Sequence, residues 1–307
     1  MTKVLIATEK PFAPEAIPQI KAVIENAGFE MVLFEKYSTK EELLNAVVDV
    51  EAMIIRSDKV TEEVIAAAKN LKIVVRAGAG FDNVDTAAAT AANVTVMNTP
   101  GQNSNAVAEL AIGLMVMMAR GMYNGKSGTE LRGKTLGIHA YGNVGRYVAT
   151  IAKGFGMEVS AYDPFLSKED IEKDGVKAVD SAEELYSSCQ YISLHIPAND
   201  KTKKSIGYNI LSKMPEGAVL VNTARKEVIN EEEMVELMDA RPDFTYISDI
   251  APVNKDVFAE KFEGRFFFTP KKMGAQTKEA NVNAGVAAAE QIVAFIKNGD
   301  TTFKVNK

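Results

Sequence analysis

Short apolar, β-branched runs alternate with segments of helical spacing along nearly the whole chain. Lys3–Ala7, Met31–Phe34, Ala52–Arg56, Lys72–Arg76 and Val94–Met97 are brief, apolar and rich in valine and isoleucine, the pattern of strands buried on both faces. Between them Pro14–Ala27, Thr39–Val48, Thr61–Lys69 and Val84–Ala92 carry helical spacing or helix-forming residues. A second series follows at Lys134–His139, Glu158–Tyr162, Tyr191–His195, Ala218–Asn222, Phe244–Asp249 and Phe266–Phe268. Two such runs predict two doubly wound, parallel α/β units, divided near the turn-rich tetrad Asn98-Thr99-Pro100-Gly101. Two long helices stand outside this rhythm. Asn103–Arg120 is apolar at Ala106, Val107, Leu110, Ala111, Leu114, Met115 and Met118, and its methionines are expected to pack a core or a dimer contact. Thr277–Lys297 follows the last strand, and Glu231-Glu232-Glu233 reads as the acidic first turn of another helix.

Composition narrows the chemistry. The 307 residues hold 41 acids and 35 bases, a formal net charge of −6, with no basic footprint for nucleic acid. A single cysteine, Cys189, rules out an internal disulfide. With only two histidines, His139 and His195, no His/Cys zinc cluster can be assembled, and no metal is expected. The longest apolar stretch, Leu110–Ala119, is about half a bilayer span, and the N-terminal apolar run is too short for a signal peptide. The expectation is a soluble, cytoplasmic protein that engages neither membrane nor nucleic acid.

The second series opens with a strand followed by Ala140-Tyr141-Gly142-Asn143-Val144-Gly145. This is the dinucleotide fingerprint G-x-G-x-x-G with alanine at its first glycine. Gly142 would let the backbone approach a pyrophosphate, Gly145 would allow close helix–strand packing, and the helix beginning near Asn143 would aim its free N–H groups at the phosphates. The next strand ends at Asp163, about twenty residues on, where an acid accepts from the ribose hydroxyls. Asp163 would repel a 2′-phosphate, and Pro164-Phe165-Leu166 offer no arginine to hold one, so NAD is expected rather than NADP.

From about residue 50 to 285 the chain resembles the D-2-hydroxyacid dehydrogenases. The resemblance rests on Ile54–Thr61, Val75–Asp85, Met97–Pro100, Asn105–Leu110, Gly128–Gly137, Ser193–Pro197 and Val221–Arg225. It implies a flavodoxin-like substrate domain, 1–98 with 275–307, and a Rossmann NAD domain, 99–274, and a homodimer built on the NAD domains. It also implies a short form, without the C-terminal regulatory domain of the larger relatives. Ala79, His195, Ile196, Pro197, Thr223, Ala224, Asp249 and Gly274 fall at family positions that line the cofactor, with Asp249 on the nicotinamide carboxamide. Arg225 matches the family arginine, whose planar fork suits a carboxylate.

Here the sequence departs from the family. The usual acid/base is a histidine after Thr-Pro, paired with a glutamate. Thr269-Pro270 is followed by Lys271-Lys272-Met273-Gly274, which places Lys272 in the histidine position and Asn254 in that of the glutamate. A free lysine holds its proton too tightly for a base at neutral pH, so burial and the charge of Arg225 are expected to loosen it; a glutamate partner would do the opposite. Lys271 and Lys272 as solvated loop cations in a degraded site, and Asp256 as a substitute carboxylate, are the competing readings.

Substrate choice turns on further cations. Arg56 and Arg76 lie at strand C-terminal ends, flanked by Ser57 and by Ala77-Gly78-Ala79-Gly80, whose N–H groups suit an anion. Together with Arg225 they point to a small phosphorylated 2-hydroxy acid, 3-phosphoglycerate within this family, oxidised with NAD. A hydroxypyruvate or glyoxylate reductase, and an NAD-sensing interaction protein without catalysis, are the alternatives.

Overall fold

Each short run read above as a strand forms one, and all pairings between the named strands are parallel. The computed structural model describes residues 1–307, which divide into two units, 1–103 with 276–307 and 104–275.

In the first unit β1 (Lys3–Thr8), β2 (Glu30–Glu35), β3 (Ala52–Ile55), β4 (Ile73–Arg76) and β5 (Thr95–Asn98) form a sheet of order β2-β1-β3-β4-β5. This is the flavodoxin-like arrangement. Successive side chains of β1 enter opposite cores, Leu5 and Ala7 on one face and Val4 and Ile6 on the other. The connecting helices are α1 (Ala16–Asn26), α2 (Lys40–Ala46), α3 (Glu62–Ala67) and α4 (Thr86–Ala91). The Thr39/Glu42 capping box starts α2, and Asp85 caps α4. The C-terminal helix, Lys278–Asn298, packs on α1 through Gly285, where a Cβ would lie 2.6 Å from Ile20 Cδ1. After Gly299, whose φ of 68° ends the helix, the chain turns back along β5. Val305 N–H donates to Val96 O at 2.9 Å, and Asn306 Oδ1 accepts Val96 N–H at 2.7 Å, which covers the free edge of the sheet.

The second unit begins with α5 (Ser104–Ala119). Its sheet comprises β6 (Thr135–His139), β7 (Glu158–Tyr162), β8 (Lys177–Ala178), β9 (Tyr191–Leu194), β10 (Val219–Asn222), β11 (Thr245–Ser248) and β12 (Phe266–Phe268). The order β12-β11-β10-β9-β6-β7-β8 is the Rossmann order with one strand added, so its switch point lies between β6 and β9. The intervening helices are α6 (Asn143–Gly154), α7 (Lys168–Glu172), α8 (Ala182–Ser188), α9 (Tyr208–Leu211), α10 (Glu231–Ala240) and α11 (Lys255–Lys261). Side chains of Ser167, Ser181 and Asn230 cap α7, α8 and α10, and Glu231–Glu233 do form the first turn of α10.

Two details differ from the sequence reading. The two-residue β8 shows no periodicity and escaped it. The α5 face is also rotated: Ala108, Ala111, Ile112, Met115 and Ala119 are buried, whereas Ala106, Val107, Leu110 and Met118 are half-buried. That helix is apolar nearly all round, so spacing alone cannot choose its buried side. No helix is long and apolar enough to cross a membrane.

Candidate active site

The turn after β6 shows why a glycine is usual there. Ala140 has φ 77°, a left-handed conformation that costs an L-residue about 1–2 kcal/mol. The next N–H, of Tyr141, donates to Asp163 Oδ2 at 2.8 Å, while Asp163 Oδ1 accepts from Phe165 N–H at 2.9 Å. The carboxylate is thus tethered beside the turn, with a lone pair free on each oxygen. Gly142 is the N-cap of α6, has no side chain to cap it, and meets nothing within 4 Å of where a Cβ would sit. The first N–H groups of α6 therefore stay available to a ligand, unlike those of the side-chain-capped helices. Gly145 is required for another reason: its Cβ would stand 2.6 Å from Ala140 O and 3.0 Å from Ile138 Cγ2.

Tyr141, expected among the cofactor-binding residues, has a fully buried side chain. Its hydroxyl donates to Asp174 Oδ2 at 3.1 Å, and the Arg146 guanidinium, ion-paired with Asp174, covers its ring at 4.7 Å. Only its main chain serves the turn. Asn143 is exposed, Val144 half-buried, and Gly145 turned into the core. At the end of β10 the buried Thr223 Oγ1 has no hydrogen-bond partner, the condition of a hydroxyl that awaits a ligand.

The two histidines lie at the ends of adjacent strands β6 and β9, tied by His195 N–H to His139 O at 3.0 Å. His139 Nδ1 meets Tyr186 Oη at 3.1 Å, and His195 Nε2 meets Ser193 Oγ at 2.9 Å. Burial pushes His139 down to about 4; burial, helped by His139, pushes His195 down to about 3. Both imidazoles are neutral at ordinary pH. Beyond His195, Ile196 is buried and Pro197 exposed.

Chemistry gathers where β10 and β11 end. Arg225 is exposed, and its Nη1 donates to Ala224 O at 3.1 Å. Lys272 Nζ donates to the same oxygen at 2.6 Å. The two nitrogens therefore lie no farther apart than those two distances placed end to end. Asp249, buried, accepts from Met273 N–H at 2.7 Å and Gly274 N–H at 2.8 Å. Lys271 is exposed and Lys272 half-buried.

Asn254 lies against the start of α10. Its Nδ2 donates to Glu231 O at 3.2 Å, and its buried Oδ1 is unpartnered. The carboxylate beside it belongs to Glu231, which accepts from Val253 N–H at 2.9 Å and Asn254 N–H at 3.3 Å. The sequence reading missed Glu231 in this place; its one signal was the acidic first turn of α10. Asp256 lies in the first turn of α11.

In the first unit Arg76 Nε donates to Arg56 O at 2.9 Å, and Arg56 Nη1 donates to Lys10 O at 3.1 Å and Pro11 O at 2.8 Å, above the Phe12 ring. Burial lowers the pKa of Arg56. Ser57 is exposed. Gly78 leaves room for Arg76, whose Nη1 would stand 1.5 Å from a Cβ there. The expectation that the whole 77–80 stretch offers N–H groups needs correction. Ala77 N–H is bonded to Ile55 O and Gly78 N–H to Arg76 O, so Ala79 and Gly80 remain as the donors.

A family profile described as D-isomer specific 2-hydroxyacid dehydrogenase, NAD binding domain, matches residues 107–261. The chain belongs to that family. A hydroxypyruvate reductase of Thermotoga maritima is 34% identical over 280 residues, 86% of this chain and 90% of that protein. A D-3-phosphoglycerate dehydrogenase of Methanocaldococcus jannaschii is 38% identical over 276 residues, 83% of this chain but 51% of the relative, so the chain spans about half the length of that relative. The crystal structure of NAD+-bound 3-phosphoglycerate dehydrogenase of Entamoeba histolytica superposes with TM-score 0.90 at 48% identity, covering 100% of this chain and 99% of that one. In this member of the family the uncapped α6, the room above Gly142, the tethered Asp163 and the orphaned Thr223 hydroxyl fit a dinucleotide.

Proposed function

We propose that the protein oxidises 3-phosphoglycerate to 3-phosphohydroxypyruvate with NAD, using Lys272 as acid/base. The observation that carries this reading is the convergence of Lys272 Nζ and Arg225 Nη1 on the Ala224 carbonyl. Bound NAD supplies the hydride acceptor for C2 of the substrate. Arg225 grips the carboxylate through its planar fork and polarises the adjacent C2 oxygen. Lys272 takes the C2 hydroxyl proton on Nζ and returns it in the reverse reaction. Asp163 and the first N–H groups of α6 hold the adenosine ribose and the pyrophosphate, and Thr223 Oγ1 donates to the dinucleotide. In the first unit, Arg76 with the Ala79 and Gly80 N–H groups reads the phosphate.

The test is an NADH-linked assay with phosphohydroxypyruvate against hydroxypyruvate and glyoxylate. Lys272→Met is expected to lower kcat by about 10²–10⁴ with NADH affinity retained. Full turnover in that variant would end the acid/base reading. Arg76→Ala is expected to weaken kcat/KM for the phosphorylated substrate alone. The likeness to a hydroxypyruvate reductase over nearly its whole length favours a second reading, an unphosphorylated substrate, and equal losses for all three keto acids would select it.

A homodimer through the second unit completes the proposal. Met122 and Tyr123 hold left-handed backbone after α5, a strain that persists where surroundings enforce it. Phe155 is exposed and lines a hollow with Val116, Ala119 and Leu131, and Tyr123 and Tyr147 of the same unit are exposed as well. Sedimentation of wild type and Phe155→Ser tests it; a monomeric wild type would refute it.

A further inference from the structure

We propose that Asp58 is a positioning residue for the anion subsite of the first unit, holding Arg56 and Arg76 in the arrangement that reads a substrate phosphate; this rests on the proposed phosphate role of Arg76. Asp58 is 3% exposed and lies just past β3. Its Oδ1 accepts from Glu9 N–H at 2.7 Å and from the Tyr37 hydroxyl at 2.8 Å, and its Oδ2 accepts from Arg56 N–H at 3.1 Å. Glu9 follows β1, Tyr37 lies just past β2, and Arg56 follows β3. One buried carboxylate thus joins the C-terminal ends of three adjacent strands in the order β2-β1-β3. Ligands of doubly wound sheets gather at that edge, and the switch point of this sheet lies between β1 and β3.

The bonds run on from Asp58 to both arginines. Its carboxylate fixes Arg56 N–H, and Arg56 O accepts from Arg76 Nε at 2.9 Å and from Asn83 Nδ2 at 3.2 Å. Asn83 Nδ2 also donates to Asp58 O at 2.6 Å, which closes the 56–58 turn. The direction of the Arg76 guanidinium, which lies against Gly78, therefore depends on a carbonyl in a segment that Asp58 holds. Charge matters as well as shape. Burial lowers the pKa of Arg56, and the negative charges of Asp58 and Glu35 oppose that shift. Burial, then the bond to Asp58, raises the pKa of Tyr37, so its hydroxyl stays a donor. A buried carboxylate is costly unless donors are supplied to it, and the ends of β1, β2 and β3 each supply one.

Asp58→Asn keeps the size of the side chain but removes its charge and sets an amide N–H group against one of the donors. Tyr37→Phe, which removes a single bond to Asp58, serves as a milder second variant, and Arg76→Ala is the reference for lost phosphate reading. For each, kcat and KM are measured with phosphohydroxypyruvate and with hydroxypyruvate, NADH affinity by fluorescence, and amide hydrogen exchange at Glu9 and Arg56 on the unliganded full chain. In Asp58→Asn, exchange at both amides is expected to speed by about tenfold, and KM for phosphohydroxypyruvate to rise about tenfold. Its kcat, its NADH Kd and its KM for hydroxypyruvate stay within about threefold of wild type. Tyr37→Phe gives the same pattern at about a third of the size. An aspartate that only stabilised the fold would lower the active fraction and leave KM of the folded enzyme unchanged. Unchanged KM for phosphohydroxypyruvate in both variants, with Arg76→Ala still selective for that substrate, overturns the proposal. Equal losses for both keto acids in Arg76→Ala overturn the phosphate reading instead, and exchange at Glu9 and Arg56 then decides whether Asp58 holds the strand ends.

Discussion

Gly145→Ala sets two effects of opposite sign against each other. Helix propensity alone favours alanine over glycine inside α6 by about 1 kcal/mol. The new methyl carbon, however, would stand 2.6 Å from Ala140 O and 3.0 Å from Ile138 Cγ2. The first contact is to backbone that cannot give way, because Ala140 is already left-handed and its N–H is bonded to Tyr162 O at 2.9 Å. The helix must move instead. Forcing a methyl into such packing costs about 1–3 kcal/mol, and the first turn realises little of the propensity gain. The net expectation is a loss of about 1–2 kcal/mol, a Tm lower by about 2–6 °C. The displaced helix N-terminus should also weaken NADH binding by about tenfold, or 1.4 kcal/mol. Thermal unfolding and NADH fluorescence titration measure both. A Tm equal to or above wild type, with an unchanged NADH Kd, would show that close helix–strand contact is not what this glycine provides.

Ala140→Gly should act in the other direction, because relief of left-handed strain outweighs the added freedom of the unfolded chain; a gain of about 0.5–1 kcal/mol is expected in thermal unfolding, and no gain would deny the strain. The histidines predict a pH effect: their folded pKa values, about 4 for His139 and about 3 for His195, lie below the unfolded value near 6.5. The unfolded state then binds more protons, so stability is complete above about pH 6.5 and declines as the pH falls through that window. His139→Leu should flatten this slope in unfolding scans between about pH 7.5 and 5, and an unaltered slope would contradict the buried, neutral assignment. Asn306→Ala removes bonds to Val96 N–H, Val94 O and Thr90 Oγ1 and strands a buried N–H. Urea unfolding should register a loss of about 2–3 kcal/mol, and a change under about 0.5 kcal/mol would mean the edge is held by other contacts.

Much of the scaffold was legible because parallel strands buried on both faces leave continuous β-branched runs such as Val219–Val221, and these are local in the chain. The dinucleotide turn was legible for the same reason. Ala140, Gly142, Gly145 and Asp163 act through a strand–turn–helix–strand whose spacing is fixed by geometry. Even the substituted first glycine keeps its left-handed backbone. The buried side of α5 was not legible, since a helix apolar nearly all round carries no period, and two-residue β8 is shorter than any pattern.

By itself the sequence determined the two doubly wound units and the dinucleotide turn, and it offered Lys272 and Asn254 as site residues. Tertiary structure alone decided what those residues touch. It took Asn254 to the main chain of α10 and set the Glu231 carboxylate beside it. It buried Tyr141 on Asp174 and turned Asp249 onto the loop that carries Lys272. It also brought Lys272 and Arg225, far apart in the chain, to one carbonyl oxygen. The physical reason is range: apolar periodicity and turn chemistry are written in adjacent residues, whereas a polar side chain finds its partner only after the strand ends of a sheet have been assembled side by side.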